Sequence, residues 1–133
     1  MTINDKLTVH VQIESASDLV RARQEGRGLA RQLGFSPGQA TLIASVISEL
    51  ARNIVTYAGH GEIVLVSDGD SAVRVIAQDS GPGIADVNAA LKPGFSTSQG
   101  LGLGLPGVRR IADEFDIASG PSGTIVNVTI IKR

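Results

Sequence analysis

The stretch "GEIVLVSDGDSAVRVIAQD", Gly61 to Asp79, decides how this chain folds. Its two halves, "GEIVLVSD" and "SAVRVIAQD", are rich in β-branched residues, and Gly69 and Asp70 separate them. That pattern predicts an antiparallel hairpin. Upstream, "LTVHVQI" from Leu7 to Ile13 alternates apolar and polar residues at period two, as a strand with one buried face does. Downstream, "DIASG" and "GTIVNVTIIKR" pair naturally across "PSG". Strands joined mostly by hairpins, with helices between them, predict an α/β sandwich. Its single sheet is mixed, mainly antiparallel, and covered on one face by helices; a doubly wound parallel sheet fits less well.

The helices follow from spacing and caps. Leu19, Val20, Arg23, Leu29, Ala30 and Leu33 recur at helical intervals between about Ala16 and Leu33, with Gly34 as a stop and Ser15 and Asp18 as a capping box. The polar side of that helix, "RARQEGRGLARQ", reads as solvated. "SPGQATLIASVISELARNIVTYAGHG" is the principal helix, with Ser36 as N-cap, Pro37 in the first turn and Gly59 at the far end. Ile43, Val46, Ile47, Leu50 and Ile54 form its core stripe. Ser45, Ser48, Glu49, Arg52, Asn53 and Thr56 lie opposite, a face whose ordinary environment is solvent. "SGPGIADVNAAL" reads as a turn and short helix, and "LPGVRRIADEF" as a last helix.

At 133 residues the chain is expected to be one domain, residues 1–133. Twelve Lys plus Arg against thirteen Asp plus Glu, with no run of like charge, do not indicate a nucleic-acid-binding surface. The absence of cysteine excludes disulfides, a thiolate metal site and a cysteine nucleophile. No apolar run approaches the roughly 18 residues of a membrane span, and the N-terminus has no signal pattern, so a cytoplasmic protein without membrane contact is expected.

Three polar clusters could carry chemistry. "GFSTSQGLGLGLPG", Gly94 to Gly107, holds five glycines and runs into the start of a helix. Free N–H groups and the helix dipole there suit an anion, phosphate above all, although such a cluster by itself is as readily a flexible loop. It lacks the Gly-Lys-Ser/Thr of a Walker A loop, and no strand directly precedes it as a dinucleotide fingerprint requires. "QDSGPGI" puts Asp79 at a strand end beside Gly81 and Gly83. An ionised carboxylate only accepts, so its partner is a donor such as the exocyclic amine of adenine; the plainer reading is a surface turn. Glu49 and Asn53, four residues apart, share a helix side: a carboxylate able to take a proton and an amide oxygen able to bind Mg²⁺.

Taken in order, "SELARNIVTYA", "DSGPGI", "GFSTSQGLGLGLPGV" and "GTIVNVTI" resemble the GHKL ATPase and kinase superfamily, which includes gyrase, histidine kinases, MutL and the heat-shock chaperone clamp. The resemblance covers the chain from about Ser36 onward. "ISELARNI" and "GFSTSQGLGLGLPGVRRIADEF" are closest to the RsbT-type switch kinases of the stressosome.

The resemblance implies ATP and Mg²⁺ as cofactors, Asn53 as the metal ligand and Glu49 as the general base. It implies that Asp79 binds the adenine amine, that Gly81 and Gly83 shape the base pocket, and that Thr124 lies near the adenine, reached through water. Ser96, Thr97, Gly100, Leu101, Gly102, Leu103 and Gly104 would form the ATP lid. It also implies protein substrates, STAS-domain antagonist or scaffold proteins, and a metal-dependent phosphatase as second partner. Glu49 would serve serine or water equally well; a chain this short, with no second domain for an ATPase to drive, favours a kinase. Some relatives carry a lid arginine, whereas "KPGFSTSQG" offers only Lys92, leaving Arg52 or Arg109 to supply a cation; the plainer reading of either is a salt bridge on a helix surface. His10 and His60 read as incidental. Alternatives are an anti-sigma factor kinase that sequesters a sigma subunit and a non-catalytic partner-exchange module stabilised by ATP.

Overall fold

The computed structural model describes residues 7–84, 86–92 and 104–133. Its strands are β1 (Thr8–Ile13), β2 (Gly61–Asp68), β3 (Ala72–Asp79), β4 (Glu114–Gly120) and β5 (Gly123–Ile131), and its helices α1 (Ala16–Gln32), α2 (Pro37–Tyr57), α3 (Val87–Ala90) and α4 (Gly104–Ile111). The strands form one sheet in the order β1-β2-β3-β5-β4, antiparallel at every pairing. The sheet among the described residues is therefore wholly antiparallel, where a mixed one was also compatible with the sequence.

Alternation along each strand sets the two faces. Val11, Ile63, Ala77, Val126 and Ile117 form one rung across the sheet, and Leu65, Val75, Val128 and Phe115 the next. These residues face the helices; with the stripe Ile43, Val46, Ile47, Leu50 and Ile54 of α2 they form the core, Ile117 and Phe115 being partly buried at its edge. The opposite face carries His10, Glu62, Gln78, Arg74 and Asp116, and no helix among the described residues covers it.

The caps form as their residues dictate. Ser36 Oγ accepts from the Gln39 N–H at 3.1 Å, with Pro37 as the first helical residue, and Asp18 Oδ2 accepts from Ser15 N–H at 3.2 Å. Gly34 and Gly59 have φ of 86°, the left-handed conformation that ends α1 and α2.

Three expectations need correction. In α1 the buried side runs through Ala22, Gly26, Leu29 and Ala30, while Val20 is 43% exposed. A Cβ on Gly26 would fall 2.0 Å from Ile47 Cδ1. Close approach to α2, rather than bulky apolar side chains, selects this face. In α2 the polar side is not uniformly solvated, since Ser48 and Glu49 are buried. The last helix stops at Ile111, because Asp113 N–H donates to Thr129 O at 2.9 Å and Glu114 and Phe115 join β4. The "RARQEGRGLARQ" side is exposed at Arg21, Arg23, Arg27 and Arg31, as a solvated face requires.

The end of β5 is fastened to several elements. Lys132 Nζ donates to Leu33 O, Gln39 Nε2 donates to Ile131 O, and Arg133 makes an ion pair with Asp113, whose Oδ2 also accepts from Ile131 N–H at 2.7 Å. The Arg133 guanidinium holds the Asp113 carboxyl below its ordinary value, against an opposing effect of burial.

Candidate nucleotide site

Gly61, Asp79, Thr124 and Ser119 stand opposite one another in successive strands, the last rung on the helix-covered side. The C-terminal half of α2 lies over it. A Cβ on Gly61 would sit 2.8 Å from Ile54 Cγ2 and 2.5 Å from Gln78 O, so the missing side chain lets the helix settle there. The cleft that remains is lined by Asn53, Tyr57, Asp79, Ile84, Leu105 and Thr124 with other apolar side chains. It has apolar walls and a few convergent polar groups, the composition of a small-molecule site.

The polar groups of this rung are tied together. Asp79 Oδ1 accepts from Gly81 N–H at 2.9 Å, an Asx-type turn that fixes the carboxylate as the chain leaves β3. Ser119 Oγ accepts from Ile84 N–H at 2.7 Å and lies 2.7 Å from Thr124 Oγ1. Thr124 is 8% exposed.

One turn apart on α2 stand Glu49 and Asn53. Glu49 is 6% exposed, and its Oε1 accepts from Arg52 Nη1 at 2.9 Å. The Arg52 side chain keeps 36% of its exposure, so the pair sits at a boundary with the carboxylate inside and the guanidinium facing outward. Beside it, Ser48 Oγ is buried and has no hydrogen-bond partner among the described residues.

The glycines flanking Asp79 have a structural cause that the sequence reading did not contain. A Cβ on Gly81 would lie 2.6 Å from Ala58 Cβ, at the end of α2. Gly83 has φ of 87°, and its Cβ would lie 2.3 Å from Gly120 O. The close approach at both is to the protein's own chain, packing the turn between the end of α2 and the β4–β5 hairpin. Gly104 opens α4 with φ of 68°. Ser96, Thr97, Gly100, Leu101, Gly102 and Leu103 lie outside the described residues. Lys92 and Arg109 are exposed.

The histidine kinase-like ATPase domain family matches residues 13–130. The chain belongs to that family. It is 48% identical over 120 residues to the serine/threonine-protein kinase RsbT of Bacillus subtilis, covering 88% of this chain and 89% of the relative. It is also 28% identical over 116 residues to an anti-sigma F factor of Caldanaerobacter subterraneus subsp. tengcongensis, covering 81% of each. Among solved structures, the RsbU and RsbW domains of a Mycobacterium tuberculosis protein superpose with a TM-score of 0.70 at 18% identity. That match takes in 96% of this chain and 33% of the other, so the chain spans about a third of it, and the likeness speaks for the fold. The family and the identity to RsbT make this chain a protein serine/threonine kinase with an ATP-binding domain.

The residues in hand fit that nucleotide. With Asp79 Oδ1 held by Gly81, the second carboxylate oxygen is an acceptor for an amine. Among the described residues no cluster of three His, Cys, Asp or Glu could hold a metal. The Asn53 amide oxygen is the kind of ligand that a hard cation such as Mg²⁺ takes.

The structure brings Asn53, Asp79 and Thr124 into one cleft, with Glu49 one turn along α2. Ser119 was not anticipated; for Arg52 a helix salt bridge was the plainer reading, and the structure gives it Glu49, a buried partner, in place of a surface one. Hairpin register across "GPSG" carries the signal for Ser119, since it stands opposite Thr124. The spacing of Glu49 and Arg52 on α2 carries the signal for their pairing. No helix among the described residues is long and apolar enough to cross a membrane.

Proposed function

We propose that this chain, folding as a single ATP-binding domain, transfers the γ-phosphoryl group of Mg²⁺-ATP to a serine or threonine of a STAS-domain regulatory protein in the cytoplasm. By a separate contact it binds and activates a metal-dependent phosphatase. The observation that carries the reading is the alignment of Asp79 and Thr124 on one rung at the base of a cleft that Asn53 also lines. In this reading Asp79 accepts from the adenine amine and Thr124 lies beside the ring. Asn53 would hold Mg²⁺, which would supply positive charge to the phosphate oxygens, and phosphate binding is assigned to the glycine-rich segment from Ser96 to Gly104 on its sequence alone. Glu49 accepts the hydroxyl proton as the acceptor oxygen bonds to phosphorus and the bond to the ADP oxygen breaks. Arg52 is committed to Glu49, which argues against it as the cation on the γ-phosphate and leaves that role to a group outside the described cleft.

The likeness to an anti-sigma F factor supports a second reading, in which the chain also sequesters a sigma subunit. Co-purification with a sigma subunit favours that reading; its absence favours the switch kinase.

The test is transfer of labelled γ-phosphate from Mg²⁺-ATP into proteins of the host's extract, with Asp79→Asn as control. A small STAS-domain protein labelled by the wild type alone is expected. ATP binding without label on any protein would leave only the partner-exchange module.

A further inference from the structure

The polar end of the cleft contains a hydroxyl that no motif marks. Ser119 Oγ accepts from Ile84 N–H and lies 2.7 Å from Thr124 Oγ1, yet it does not line the cleft itself. A hydroxyl has one proton to give and two lone pairs to fill. With one lone pair of Ser119 taken by Ile84, two arrangements remain. If Thr124 donates, Ser119 accepts twice, and its own proton has no acceptor among the described residues. If Ser119 donates, the unspent proton belongs to Thr124, whose side chain faces the cleft beside Asp79. The second arrangement puts the free donor where a ligand can take it. It also runs as one chain, from N–H through two hydroxyls, in which each bond polarises the next.

We infer that Ser119 is a positioning residue that fixes Thr124 as a donor and thereby selects a 6-amino over a 6-oxo purine, an inference that rests on the nucleotide-binding reading above. The rung then presents an acceptor at Asp79 and a donor at Thr124. Adenine offers the complement, an amine donor at position 6 and an acceptor at N1. Hypoxanthine offers the reverse, a carbonyl at position 6 and N1–H, and is mismatched at both points without any added bulk. A water between Thr124 and the ring relays the same polarity, accepting from the hydroxyl and donating onward. Ser119 reaches the base only through Thr124.

The same oxygen also fastens Ile84, so a purely structural role for Ser119 has to be separated from a selective one. Loss of structure weakens both nucleotides equally; loss of polarity changes their ratio. The experiment is calorimetric titration of the full chain with Mg²⁺-ATP and with Mg²⁺-ITP, for wild type, Ser119→Ala, Thr124→Val, the double variant and Ser119→Thr. Wild type is expected to prefer ATP by about a hundredfold, as a site built around hydrogen bonds does. Ser119→Ala and Thr124→Val are each expected to cut that ratio about tenfold, the double variant no further than Thr124→Val alone, and Ser119→Thr to keep most of it. Should Ser119→Ala fail to fold, Ser119→Cys, a weaker donor of similar size, is expected to lower the ratio instead. An unchanged ratio in the Ala or Cys variant, or reductions that multiply in the double variant, overturns the inference while leaving nucleotide binding intact. Wild type that binds neither nucleotide overturns the nucleotide reading, and the inference with it.

Discussion

Glu49 is buried with its carboxylate on Arg52, the residue three positions along the same helix, at 2.9 Å. A carboxylate placed inside α2 without that guanidinium would lose its charged partner among the described residues. Arg52→Ala is therefore expected to destabilise the fold by about 1–2 kcal/mol, less than a fully buried pair because Arg52 meets solvent. A double-mutant cycle with Glu49→Ala in urea should give a coupling of about 0.5–1.5 kcal/mol. Additive single variants would mean that the pair contributes nothing.

Asp79 offers only acceptors when ionised, and one oxygen is already engaged by Gly81. Asp79→Asn turns the remaining position into a partial donor facing an amine donor. ATP affinity measured by calorimetry is expected to fall at least about a hundredfold. Unchanged affinity would remove Asp79 from the base site.

The two kinds of glycine constraint are separable by substitution. Gly83→Ala meets both a φ of 87° and a backbone oxygen 2.3 Å from the new Cβ, whereas Gly69→Ala meets a φ of 61° with nothing within 4 Å. Urea denaturation should show a loss of about 1 kcal/mol for Gly69→Ala and at least about 2 kcal/mol for Gly83→Ala. Equal losses would mean that contact with Gly120 is not what requires glycine.

Sequence reading reached the fold because its signals were local and agreed with one another. The Gly69 turn, the alternation in β1, the β-branched runs of β2 and β3, the pairing of β4 with β5 across "PSG" and the caps at Ser36 and Gly59 each specify a short stretch, and together they leave one sheet with one covered face. It failed in α1 at Val20, where apolar character pointed one way and helix–helix distance selected the small residues Ala22 and Gly26 instead. Asn53 and Asp79 stood out by their donors and acceptors and Thr124 through the family resemblance alone, and the fold brings the three to one cleft. The burial of Glu49 depends on what lies over α2, and Ser119 depends on hairpin register; neither follows from residue type. Gly81 and Gly83 were noticed for room beside a base, while the structure gives them a packing reason as well.

Acid should loosen the end of β5. Asp113 is held below its ordinary value, about 3.8, chiefly by Arg133. A lowered carboxyl contributes stability above its unfolded value, and that contribution is lost as pH falls through the folded value. The stability difference between wild type and Asp113→Asn should therefore be present from neutral pH to about pH 5 and shrink as pH drops below about 3.8. Thermal melts across that range read it directly, and a difference that grows in acid would contradict the assignment. Glu62, lowered by its hydrogen bond from His10, adds a contribution of the same sign that both proteins share.

Glu49, on the account given above, serves the transfer step and not the binding of nucleotide. Single-turnover transfer from Mg²⁺-ATP to a purified STAS-domain substrate by Glu49→Gln, with ATP affinity measured on the same protein, tests it most directly. The expected result is affinity within about threefold of wild type and a transfer rate lower by about 10² to 10⁴. A wild-type transfer rate in Glu49→Gln would contradict the account.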